Sequence, residues 1–535
     1  MRNIEKVYSS KPKESDHLLM IMEEEDGLDQ LPPLNLDHDI VGQDVFGVAQ
    51  TYLRNYTSSF MKQAQNLQEE FASLYGGIRP SRYLLENTLF EFQGDSWVRL
   101  LQRKRRSTLH MVIVGQATAA GYGNFHHHAF SFSLQSIMEK TMSMFKIKFL
   151  VTNIALEHVA ILPYLWCIPE FTKKTAEKKE APIDIVYLDL DSLMELNDFE
   201  IVLRQIIGLS IPPPQIIIRD MKQHEDRFEL LQDYIKKGAL HDPVLLDWKD
   251  AVLPFLQLKP SRRPSGFSDW STWGAEEASH KQAFWTVSQH KMVAWILSMF
   301  LLKQLELLVA AEEGYYSIQA QSDEFEFFPP FRKYSDLNEP FMHHLAYPSP
   351  SRKCLTTFDP ADNLIPSNGE SNKEVHLEHP KGMMFYTSGW VLDLENSERK
   401  EKLRSQHLGF KDILASYHGL SVSGTITFNF KVGEISGLIL CESQYIEKRD
   451  QGCKLHEDVS FLVNDQPVDS IQIINHALTS FQGKNLCIYL DFKSHITGDV
   501  TLAMSVSNNK IALSHGPCSI SHILWQDALE IKDED

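Results

Sequence analysis

A chain of 535 residues, 43% apolar and 23% charged, is long enough for two or three domains and has the profile of a folded soluble protein. Its 52 basic and 71 acidic residues give a formal net charge of −19. That balance argues against generic nucleic-acid or anionic-membrane binding, both of which need cationic surface.

Residues 1–45 carry "MEEEDGLDQLPPLNLDHD", an acidic, proline-containing stretch expected to form a loose arm. The polar start "MRNIEKVYSSKPKESD" has no apolar h-region, so no signal peptide is expected and an intracellular site, cytoplasmic or organellar, is favoured. From Val48 to Leu74 apolar residues fall at helical spacing, which predicts one long helix, and residues 80–102 predict further helix. The basic cluster Arg103–Arg106 reads as a solvated lead-in to a strand.

An alternation follows. Apolar strand-like runs occur at Leu109–Val114, Lys148–Ile154, Ile183–Leu190, Gln215–Ile218 and Val244–Leu246, separated by helical stretches at Phe130–Phe145, Phe199–Ile207 and Arg227–Lys236. Continuous apolar strands alternating with helices predict about five parallel strands covered on both faces. A last helix, Val287–Ala311, closes an α/β domain spanning 46–311. Its apolar run Met292–Leu302 is too short to cross a bilayer and reads as buried, so no transmembrane segment is expected. Residues 312–385 read as an irregular linker. Over 386–530, short alternating runs such as "GTITFNFKVG", "NLCIYLDF" and "VTLAMSVS" predict an antiparallel β-sandwich or jelly roll.

The six cysteines lack CxxC spacing, which argues against a zinc site. With no signal segment, reduced core thiols are the default expectation. One or two disulfides among Cys441, Cys453, Cys487 and Cys518 are the alternative in an oxidising compartment. Three adjacent histidines, His126–His128, cannot all face one ion from a helix start, where neighbours point about 100° apart. Neither a metal nor a cofactor is expected.

The stretch "VIVGQATAAGYGNF" (Val112–Phe125) runs an apolar strand into a small-residue loop. Gly115, Gly121 and Gly123 fit neither a P-loop nor a GxGxxG spacing, and no lysine follows. Together with "TNIALEHVAILPYLWC" (Thr152–Cys167), "PIDIVYLDLDSLMELND", "RRPSGFSDWSTWG" (Arg262–Gly274) and "WTVSQHKMVAWILSM", the loop resembles the conserved blocks of the SGNH (GDSL-type) hydrolase family. The resemblance runs from about Leu85 to Leu308, and it points to an algal and protist group carrying an appended C-terminal β domain. It implies a flavodoxin-like three-layer fold.

It also implies where a serine esterase keeps its chemistry. The family's nucleophilic serine falls on Ala117, whose methyl cannot attack a carbonyl. The block-two glycine falls near Glu157 or His158, and Asp191 or Ser192 lies nearest the block-three asparagine. Counting back six residues from His290 puts the catalytic histidine on Phe284, and its orienting aspartate falls on Lys281. His290 itself reads as a helix N-terminal or packing residue. Substitutes for the lost chemistry would be Thr118, His280 and His158. Candidate pocket residues are Gly115, Gln116, Thr118, Asn124, Asn153 and Asp191, with Asn153 expected to tie the loop. With nucleophile, base and acid all replaced, the resemblance implies a catalytically inactive protein, a binding or structural subunit of a larger assembly with protein partners. The alternatives are an active esterase on carbohydrate or lipid esters using the displaced residues, and a glycan-binding protein.

Overall fold

The computed structural model describes residues 58–318 apart from 93, 116–118, 120–127, 156–159, 174–181, 190–194, 211, 220–224, 269, 271–285 and 313–315. Beyond 318 it describes 352–356, 377–378, 384–388, 390–393, 416–419, 425–442, 454–474, 480–481, 484–507 and 518–527. The acidic arm expected over 1–45 lies outside these residues.

Helices α1 (Ser58–Leu74) and α2 (Ile78–Thr88) lead to a short strand β1 (Leu89–Glu91) and helix α3 (Ser96–Arg103). The core alternation then runs β2 (Thr108–Gly115), α4 (Phe130–Met144), β3 (Lys148–Asn153), α5 (Ile161–Lys173), β4 (Ile185–Asp189), α6 (Leu196–Ile207), β5 (Gln215–Arg219), α7 (Glu225–Lys236), β6 (Val244–Leu246), α8 (Lys249–Gln257) and α9 (Val287–Glu312). The sheet order is β1-β6-β5-β4-β2-β3, with β2 to β6 parallel and β1 antiparallel to β6. Counted from β2, the five parallel strands stand in the order 2-1-3-4-5, which is flavodoxin-like.

Side chains alternate across each strand, and the two faces serve two cores. Leu109, Met111, Ile113, Ile185, Tyr187 and Ile217 pack under α4 and α9 on one face. Val112, Val114, Val186, Leu188, Ile216 and Ile218 pack under α5, α6 and α7 on the other. This is the three-layer α/β fold that the strand runs predicted. Helix α9 is long and apolar enough to span a membrane by length and composition, but 89% of its most apolar window is buried inside the protein. It is a core helix, longer than the apolar run that marks it in the sequence.

The helix expected over 80–102 is interrupted. Gly94 packs so closely on the Asp242 carboxylate that a Cβ would overlap it, Ser96 N–H donates to Asp242 Oδ2 at 3.0 Å, and the Trp97 indole donates to the Asp242 carbonyl at 2.9 Å. These tertiary bonds turn the chain, and Leu89–Glu91 joins the sheet edge. Within the basic cluster, Lys104 pairs with Asp184 at 2.6 Å and Arg105 donates to Glu312 at 2.9 Å.

Beyond α9 the described strands pair antiparallel. Strands β7 (Arg352–Thr356), β8 (Leu377–Glu378), β9 (Met384–Ser388), β10 (Trp390–Asp393), β11 (Ser416–Gly419) and β12 (Thr425–Cys441) precede a one-turn helix α10 (Leu455–Asp458). After it come β13 (Val459–Val463), β14 (Gln466–Pro467), β15 (Ser470–Ile473), β16 (Ser480–Phe481), β17 (Lys484–Asn485), β18 (Cys487–Val506), β19 (Cys518–Ile520) and β20 (His522–Gln526). One sheet runs β14-β13-β18-β12-β20-β7, and β10-β11-β19 form a second. Cys518 and Ile520 of the second sheet pack in one core with Phe428, Leu440, Leu490 and Leu502 of the first, which makes a sandwich. Two of its strands are long. Register shifts between Val432 and Gly437 let β12 bend and continue past the end of the short run "GTITFNFKVG".

Residues 312–385, expected as an irregular linker, supply β7, β8 and the start of β9 to this sandwich. The two units also share a core: Leu165, Trp166, Ile206 and Tyr234 pack in one cluster with Ile439, Leu486, Tyr489 and Leu524. The expectation of reduced thiols is overturned. Cys167 is bonded to Cys354, Cys441 to Cys487, and Cys518 is also in a disulfide.

Candidate functional site

In a sheet of this order the connections leave β2 and β4 toward opposite faces, opening a crevice at their carboxyl ends. Gly115 ends β2 and Asp189 ends β4, and the two are register partners. A Cβ on residue 115 would lie 2.8 Å from the Asp189 Cβ, 2.9 Å from the Asp189 carbonyl oxygen and 3.0 Å from the Ala119 Cβ. Only glycine lets the chain leave β2 here.

Described residues on either side of the connection from β2 to α4 are held at two further points. Asn153, at the end of β3, donates from Nδ2 to the Ala119 carbonyl at 2.8 Å and to Ser131 Oγ at 3.4 Å, while its Oδ1 accepts from Ala155 N–H at 3.1 Å. Its amide is therefore engaged in tying the loop. At the start of α4, Phe130 N–H donates to His290 Nδ1 at 3.3 Å, and the two rings stack with centroids 6.3 Å apart and planes 12° apart. His290 sits in the first turn of α9 and is fully buried. Burial, with a smaller push from nearby His128, lowers its pKa to about 3. The ring is neutral at ordinary pH, with its proton on Nε2 because Nδ1 accepts. Its place at a helix start and in the packing is as the sequence led us to expect.

Asp189 is 1% exposed, and its Oδ1 meets Arg219 Nη2, at the end of β5, at 2.6 Å. The guanidinium lies over the Trp248 ring, 5.7 Å from its centroid. An ion pair and a cation–π contact thus run across the carboxyl ends of β4, β5 and the residues after β6. The sequence reading missed this trio. Its one signal was a charged residue closing each of two apolar strands, in "VYLD" and "IIIR".

Of the residues singled out from the sequence, the structure brings Gly115 and Asn153 to the same edge, bracketing Ala119. Gln116, Ala117, Thr118, Asn124, His158, Asp191, His280 and Phe284 lie outside the described residues, as do His126 and His127. Among the described residues no group of three or more His, Cys, Asp or Glu side chains could hold a metal ion.

No family model matches the chain, and no curated protein does. Among solved structures it is similar to a two-domain esterase active on acetylated mannans, at 10% identity and a TM-score of 0.40, covering 83% of this chain and 99% of that one. A structure of that description co-crystallized with mannopentaose matches at 10% identity and a TM-score of 0.40, covering 83% and 98%. The psychrotrophic esterase EstA from Pseudoalteromonas sp. matches at 12% identity and a TM-score of 0.21, covering 30% and 90%.

Proposed function

We propose that this chain is a binding or structural protein built on an SGNH-type esterase scaffold and that it does not hydrolyse esters. One observation carries the reading. Strand β2 ends at Gly115, and the position two residues on, where the resemblance places the serine, is Ala117. An alanine has no group to attack a carbonyl, and Phe284 at the base position has no proton to exchange. The surrounding polar groups support the same reading. The Asn153 amide is bonded to the loop, the Asp189 carboxylate to Arg219, and the His290 lone pair to the Phe130 amide. The role is then that of a subunit with protein partners.

The test is to incubate the purified full chain with a chromogenic acetyl ester and a fluorophosphonate probe, and to size the native protein in extracts of its source. Absence of turnover and of labelling, with migration in a large complex, is the expected result. Turnover abolished by Thr118→Ala would overturn the reading in favour of an esterase using displaced residues. A monomer that binds glycans on an array would replace the subunit role with carbohydrate recognition.

A further inference from the structure

The joint between the α/β unit and the sandwich is built from polar as well as apolar parts. Arg352, the first residue of β7, is buried against α6, where Nη1 donates to Gln205 Oε1 and Nη2 to the Gln205 carbonyl at 3.4 Å. Its guanidinium lies over the Trp166 ring of α5, 5.8 Å from the centroid. The Trp166 indole in turn donates to the Trp525 carbonyl of β20 at 3.2 Å. Next to Trp166 and two residues beyond Arg352, Cys167 and Cys354 are joined across the joint with Cα atoms 5.2 Å apart. A buried guanidinium is costly to desolvate, and burial lowers the Arg352 pKa to about 9. Such an interface gains less from its area than an apolar one.

The two described cysteine pairs differ in what they constrain. Cys441 and Cys487 are register partners on β12 and β18, strands already zipped together by a long ladder. Cys167 and Cys354 are 187 residues apart and belong to different units. Only the second bond holds something the backbone hydrogen bonds do not.

We infer that Cys167–Cys354 is a redox lock on the joint: it closes in an oxidising compartment, and a dithiol reductant releases it so that α5, α6 and β7 separate transiently. In the release, one thiolate of the dithiol attacks a cystine sulfur and its second sulfur resolves the mixed disulfide. The cystine S–S bond breaks, one S–S bond forms in the dithiol, and its two protons end on the Cys167 and Cys354 thiols. Both sulfurs are buried, so the exchange proceeds through local opening of the joint.

The test uses the full chain made in an oxidising secretory host, treated with dithiothreitol and sampled by alkylation, peptide mass spectrometry and hydrogen exchange. The Cys167–Cys354 linkage is expected to be lost at least about tenfold faster than Cys441–Cys487, because it needs only local opening. Exchange should rise in α5, α6 and β7 while β12 and β18 stay protected. The Cys167→Ser/Cys354→Ser variant should show that exchange pattern without reductant. Free thiols at both positions in the untreated protein would overturn the proposal, as would equal loss of both linkages accompanied by global unfolding. So would a reduced protein with unchanged exchange. If the double variant fails to fold, the reduction series on the native protein still decides.

Discussion

Gly115 and Asp189 face each other at the carboxyl ends of β2 and β4, closer than any residue with a side chain would allow. Ala119 closes the space from the loop side. Gly115→Ala is therefore expected to overpack a rigid point and cost about 1–3 kcal/mol. A urea titration should show a lower midpoint with unchanged slope. An unchanged midpoint would mean that β2 and β4 move apart freely.

Arg219→Met removes the guanidinium from a carboxylate that is 1% exposed. Breaking one side of a nearly buried pair costs about 3–5 kcal/mol, whereas removing both charges costs much less. The Arg219→Met/Asp189→Asn double variant should recover a large part of the loss, and the thermodynamic cycle measures the coupling. Additive losses would place the pair's contribution elsewhere.

Two of the buried histidines, His290 and His522, set an acid limit. Burial lowers the pKa of both His290 and His522 to about 3. The folded protein therefore binds fewer protons than the unfolded chain between that value and the ordinary histidine pKa of about 6.5. Their contribution is complete above that upper value and falls as the pH drops, by about 1.4 kcal/mol per pH unit for each ring. Urea midpoints measured from neutral pH down to about pH 4 should decline accordingly. His290→Asn, which keeps an acceptor near Phe130 N–H, should flatten the decline. A parallel decline in the variant would remove His290 from the account.

At the joint, Arg352→Met trades a costly buried charge for an apolar chain of similar length. It should lie within about 1 kcal/mol of the native protein by thermal unfolding. Gln205→Leu takes away the side-chain acceptor and keeps the charge, so it should cost about 2–3 kcal/mol. The reverse order would show that the guanidinium contributes net stability.

Ala117→Ser introduces a hydroxyl at the position where the resemblance would place the serine, and leaves Phe284 where it would place the base. No acetyl-ester turnover above that of the native chain is expected, because an unassisted serine is a weak nucleophile. Turnover from this single change would point to a base among the neighbouring residues.

The parallel strands were legible because each is an apolar run, and in the inner ones, as in Val112–Val114 and Ile216–Ile218, that run is buried on both faces. Helices α4, α6, α7 and α9 showed in the same way, through apolar spacing. What escaped was set by contacts distant in sequence. Asp242 turned the chain at Gly94, and the ladder with β20 drew Arg352–Thr356 out of an apparent linker. Cys167 and Cys354 carry no local spacing that announces their pairing. At the candidate site, Gly115 and Asn153 stood out by resemblance, while Asp189, Arg219 and Trp248 come together only when β4, β5 and β6 align.

Helix α6 is buried from Asp198 to Ile207. One side rests on the central sheet, and Gln205 reaches across to Arg352 of the sandwich. Within it, Arg204 and Glu200 pair at 3.0 Å, and Tyr234 of α7 donates to Glu200 at 2.7 Å. Such a helix has no solvent side on which sequence can drift without penalty. A change at any of these positions disturbs the packing of one unit or the other, so along α6 a substitution is felt on every face.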